Sequence, residues 1–112
     1  MERQKMKSRV FKVASAQSWD SFVTQTSSVV VHFTASWCRP SVAMNPFFEE
    51  LALTYKNILF LLVDVDEIKE VASKMEIKAM PTFVLMKEGS QVDKLVGANP
   101  LEIKKRIDEA FG

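Results

Sequence analysis

Hydrophobic positions come in short blocks along this chain, and the period inside each block separates strand from helix. Residues 10–13 carry a brief β-like pattern, after which Ser15 or Ser18 offers an N-cap to a helix with Trp19, Phe22 and Val23 at helical spacing. Residues 28–34 form a β-branched and apolar run (Val29, Val30, Val31, Phe33) that suits a strand buried on both faces of a parallel sheet. His32 is its odd member. From 39 to 55, Met44, Phe47, Phe48, Leu51, Ala52 and Tyr55 keep one helical face apolar over several turns. Pro46 inside that stretch is expected to kink the helix rather than end it.

Residues 58–65 predict a second buried strand, Asp66 is placed to cap a short helix reaching Val71 and Met75, and Pro81 precedes a third strand at 82–86. Glu88, Gly89 and Ser90 read as a hairpin turn into 92–96. Pro100 opens a last amphipathic helix with Leu101, Ile103, Ile107 and Phe111 at core spacing and Lys104, Lys105 and Arg106 mostly outside. Strand and helix alternate until the closing hairpin, which predicts an α/β sandwich around a mixed sheet. Its central βαβ unit delivers Cys38 to a strand-to-helix junction, the place where sites form in open α/β sheets.

At 112 residues with 47% hydrophobic content, the chain is expected to form one domain over 9–112 behind an N-terminal tail at 1–8. Arg3, Lys5, Lys7 and Arg9 are followed by no apolar block of the signal-peptide kind, and Glu2 stands where myristoylation requires glycine. A formal charge of +1 gives no bulk electrostatic reason to bind nucleic acid or an anionic membrane. The longest wholly apolar stretch, 58–63, is far short of the roughly 20 residues that cross a bilayer. Partners are therefore expected to be proteins or small molecules. One cysteine forbids an intramolecular disulfide and fits a reducing compartment, with the cytoplasm as the expected location.

A thiol reacts as thiolate, and its ordinary pKa of about 8.5 leaves little of that form at neutral pH. Four features beside Cys38 favour the anion: the amides of the following helical turn, the helix dipole, the Arg39 guanidinium, and Ser41, three residues on and able to donate its hydroxyl. Pro40 is tolerated there because the first helical turn does not use its missing donor. Position alone leaves two readings open, a reactive thiol or a small buried hydrophobe. Arg39 is either an electrostatic partner or a plain surface charge. His32 is either a neutral core histidine or a hydrogen-bond partner and base facing Ser41 or Cys38. A serine–histidine hydrolase pair lacks any indicated acidic third member or oxyanion donor.

The segment His32-Phe33-Thr34-Ala35-Ser36-Trp37-Cys38-Arg39-Pro40-Ser41 resembles the active-site stretch of thioredoxins, most closely the plant h-type. Asn45-Pro46-Phe47-Phe48-Glu49-Glu50-Leu51, Val63-Asp64-Val65-Asp66, Ala79-Met80-Pro81-Thr82-Phe83 and Val96-Gly97-Ala98 extend the likeness in order and spacing, from about Arg9 to Phe111. The resemblance implies a thioredoxin fold, a central mixed five-stranded sheet flanked by four helices. It also implies a cis peptide bond before Pro81 facing Cys38, and a substrate groove lined by Trp37, Pro40, Met80, Pro81, Gly97 and Ala98. The family's Trp-Cys-Gly-Pro-Cys is Trp37-Cys38-Arg39-Pro40-Ser41 here, so the attacking cysteine is kept and the resolving one is serine. The family's buried aspartate, associated with moving a proton from the resolving cysteine, is matched by His32.

By this resemblance Cys38 attacks a target disulfide, while Ser41 cannot complete release. A further thiol must do so, either the substrate's own, giving isomerisation, or that of glutathione, with glutaredoxin as an associated reductant. No cofactor or metal is called for, glutathione being a co-substrate. Two other readings remain: a binding module that holds partners in the groove without turnover, and an iron–sulfur cluster ligated by Cys38 and glutathione across a dimer. The chain is expected to be a monomer or a Cys38-linked dimer.

Overall fold

The computed structural model describes residues 8–112, so the expected tail lies outside the described residues except for Ser8. Strand β1 (Val10–Lys12) leads into helix α1 (Ala16–Gln25), then strand β2 (Ser28–Thr34), helices α2 (Arg39–Val42) and α3 (Asn45–Thr54), and strand β3 (Leu59–Asp64). Helix α4 (Lys69–Lys74), the hairpin β4 (Thr82–Lys87) and β5 (Ser90–Val96), and helix α5 (Pro100–Phe111) complete the order. The strands form one sheet in the order β1-β3-β2-β4-β5, with β3 parallel to β1 and β2, and the β2–β4 and β4–β5 pairs antiparallel.

Burial explains the layering. On one face Val29, Val31 and Phe33 of β2 join Leu61, Val63, Val84 and Met86 beneath Trp19 and Val23 of α1 and Val71 of α4. On the other, Val30, Phe60, Phe83 and Leu85 meet Phe48 and Leu51 of α3 and Ile103 and Ile107 of α5. Strand β2 sits third of five and is covered on both sides, which is why its sequence is a continuous apolar run rather than an alternation. Side chains alternate along a strand, so His32 shares the face of Val30, towards α3 and α5.

Local chemistry sets the element ends. Ser15 caps α1 in a capping box with Ser18, the hydroxyl of each facing the backbone N–H of the other. The long helix expected over 39–55 is α2 and α3, two arms of one broken helix, and with it counted once four helices flank the sheet. The break falls at Ala43–Met44, ahead of Pro46, because the proline ring would collide with the carbonyl four residues earlier, at Val42. Before α4 the turn is held by Asp64, whose carboxylate accepts from the Asp66 and Glu67 amides; Asp66, expected as the cap, does not fill that role. Glu88 (φ 51°) and Gly89 (φ 83°) form the left-handed two-residue turn of the hairpin. Phe11 is an exception to the buried phenylalanines: on edge strand β1 it is half exposed and packs on Phe22.

Candidate active site

The site forms where β2 runs out. After Thr34 the chain turns through Ala35, Ser36 and Trp37, and the Cys38 amide donates back to the Ala35 carbonyl at 3.0 Å. Cys38 is then the N-cap of α2, its carbonyl accepting from the Ser41 and Val42 amides at 3.1 and 3.0 Å. Pro40, within the first turn, has no amide to satisfy. The Cys38 thiol is half-buried, and its Sγ donates to the Met80 carbonyl at 3.5 Å.

That carbonyl belongs to the Met80–Pro81 bond, which is cis, as the resemblance implies. Pro81 is buried, and its carbonyl accepts from the Gly97 amide at 2.9 Å, which brings the end of β5 to the same place. Gly97 takes a φ of 116°, a conformation open to glycine and strained for other residues. Cys38, Met80, Pro81 and Gly97, from three separate stretches of sequence, therefore meet, and Ala98 follows at the exposed rim. Trp37 is 65% exposed beside the thiol, and its indole Nε1 donates to the Asp66 carboxylate at 2.8 Å. Asp66 is thus an anchor for the exposed ring. Its signal in the sequence was an acidic residue just beyond the end of a neighbouring strand, with no local partner to call for it. Arg39 and Pro40 are exposed next to the sulfur.

Beneath the thiol lies a sealed polar group. His32 and Ser41 are fully buried, and Thr34 nearly so. The Ser41 hydroxyl donates to Thr34 Oγ1, and His32 Nε2 lies 3.3 Å from Ser41 Oγ. A hydroxyl has one proton, so with that proton on Thr34 the imidazole must be the donor, carrying its hydrogen on Nε2. Nδ1 then holds a lone pair with no partner. The ring stacks on Phe83 with centroids 4.6 Å apart and meets Phe48 edge-on at 5.2 Å. Burial among these groups lowers the His32 pKa from 6.5 to about 4, so the ring is neutral at physiological pH.

One sequence expectation changes here. Ser41 was expected to donate to the sulfur, but its proton goes inward to Thr34, because β2 presents an acceptor directly beneath α2. The serine–histidine pair does exist as a contact, yet the hydroxyl is sealed from solvent and among the described residues no carboxylate reaches Nδ1, so it is not built as a hydrolytic dyad.

A thioredoxin family model matches residues 10–109. Thioredoxin-like protein CXXS1 of Arabidopsis thaliana is 62% identical over 104 residues, covering 89% of this chain and 88% of that protein. The protein of the same name from Oryza sativa subsp. japonica is 54% identical over 112 residues, covering 94% and 84%. Among solved structures, thioredoxin NaTrxh from Nicotiana alata is similar with a TM-score of 0.89 at 33% identity, over 96% of this chain and 97% of that one.

Proposed function

Because the chain belongs to the thioredoxin family and carries a single thiol, we propose that it is a monothiol thiol–disulfide oxidoreductase whose mixed disulfides are resolved from outside the chain. The carrying observation is the half-buried Cys38 sulfur at the Met80 carbonyl, with a buried hydroxyl at position 41, where a second thiol would be needed. Cys38 thiolate attacks one sulfur of a target disulfide; a Cys38–target S–S bond forms, the target bond breaks, and the other target sulfur leaves as thiolate. Ser41 forms no disulfide, so the complex waits. If a third thiol of the target, not the one just released, attacks the bonded target sulfur, a new target disulfide forms, Cys38 leaves as thiolate, and the target is isomerised without net oxidation or reduction. If glutathione attacks the Cys38 sulfur instead, the target leaves reduced, and a second glutathione frees Cys38 with formation of oxidised glutathione.

The groove reading assigns Trp37, Pro40, Met80, Pro81, Gly97 and Ala98 to an extended peptide, with the Met80 backbone pairing as an added strand. Arg39, exposed beside the sulfur, suits the carboxylates of glutathione. This chemistry requires no resident cofactor. It fits a reducing compartment such as the cytoplasm, where glutathione or glutaredoxin keeps Cys38 as a thiol. Refolding of a scrambled disulfide substrate in a glutathione buffer tests the reading: the native protein accelerates it and Cys38→Ser does not, whereas equal rates overturn the enzymatic assignment.

A further inference from the structure

Two helices of this chain begin with the same spacing of polar groups, and they use it differently. In α1 the N-cap Ser15 and the third helical residue Ser18 close a capping box, their hydroxyl oxygens 3.1 Å apart. In α2 the N-cap is Cys38 and the third helical residue is Ser41, so the same geometry would set a hydroxyl against the sulfur. It does not. The Ser41 hydroxyl instead points into the core, donating to Thr34 and accepting from His32, and no side-chain cap forms at α2.

Resting on the monothiol reading above, we propose that His32 and Thr34 are positioning residues that hold the Ser41 hydroxyl away from the Cys38 sulfur, so that the thiolate forms without a hydroxyl donor beside it. The observations interlock. Turning Ser41 towards Cys38 would leave Thr34 Oγ1 without its donor and strand the His32 N–H, buried with no acceptor. No ionised group competes, because the ring is enclosed by Phe83 and Phe48 and is itself neutral. The unpartnered Nδ1 shows that the imidazole is held in place by packing and by Ser41 alone.

The consequence falls on the sulfur. A thiolate without a donor hydroxyl is more basic, hence more nucleophilic as the anion and a poorer leaving group. As a poorer leaving group, Cys38 is displaced from its mixed disulfides more slowly, so they persist until an external thiol arrives, while the smaller thiolate fraction at neutral pH slows their formation.

The test is the pH midpoint of Cys38 alkylation by iodoacetamide, measured on the full chain. His32→Leu/Thr34→Val removes both holds, leaves Ser41 its hydroxyl, and is expected to lower the midpoint by about one pH unit, the size of one charge-assisted hydrogen bond. Adding Ser41→Ala to that background returns the midpoint to the native value, and His32→Gln, which keeps an N–H donor, does not move it. A native midpoint in the folded double variant overturns the proposal, as does a lowered midpoint that survives Ser41→Ala. Should circular dichroism show the double variant unfolded, isosteric Thr34→Val alone decides: a fall of a few tenths of a unit supports the proposal and no fall overturns it. Failure of native Cys38 to alkylate at all would instead refute the monothiol reading itself.

Discussion

Acidification from about pH 7.5 to about pH 5 loads the unfolded chain with a proton that the folded protein refuses at His32. The folded pKa is about 4 against 6.5 for the free side chain, so between those values the unfolded state binds more protons and stability falls as pH falls. Above 6.5 the contribution is flat, and below about 4 the loss is complete. The two pKa values give about 2 kcal/mol lost by pH 5 and about 3 kcal/mol in full. In urea, with a slope of about 1–2 kcal/mol per molar, the pH 5 loss moves the unfolding midpoint by about 1–2 M. His32 is the chain's one histidine, which makes the assay clean. Urea midpoints of the native protein and of His32→Leu are compared at both pH values; the carboxylates titrate in both, so only the difference in pH dependence is read. The native protein is expected to lose about 2 kcal/mol more than the variant on acidification. Equal pH dependence in the two proteins, or an imidazole proton resonance titrating near 6.5, would refute the burial argument.

Asp66→Ala should release the Trp37 indole, speeding exchange of its Nε1 proton; an unchanged rate would contradict the 2.8 Å contact as the anchor of the ring. Phe48→Ala removes a buried ring packed on His32, Phe60 and Phe83, and a loss of about 3–5 kcal/mol in denaturant unfolding is expected, with a loss below about 1 kcal/mol counting against that packing. Arg39→Gly should raise the Cys38 alkylation midpoint by a few tenths of a pH unit at low salt, and by less as salt screens the exposed charge; no change at low salt would remove its electrostatic role.

The strands that place the site could be read from local pattern because burial on both faces imposes one. β2 was expected at 28–34 and lies there, and the junction carrying Cys38 follows from it. Features that depend on a distant partner were not legible. Helical spacing put Ser41 on the Cys38 side, but the competing acceptor on Thr34 is supplied by the strand beneath, which the spacing rule does not see. Asp66 looked like a helix cap because it precedes a helix, yet the carboxylate two residues earlier sits in the turn and takes the amides, leaving Asp66 to Trp37, 29 residues away. Pro46 was expected to kink one continuous helix, whereas the helix is broken at Ala43–Met44, a few residues ahead of it, since the proline acts on the carbonyl four positions before it.

Brief exposure of the native, folded protein to oxidised glutathione, followed by intact mass and peptide mapping, tests the central claim most directly. The expected product is one glutathione per chain, attached to Cys38 and removed by reduced glutathione. A chain that stays unmodified while folded, and gains the adduct only after denaturation, would mean that the sulfur is not available to another thiol and would contradict the account.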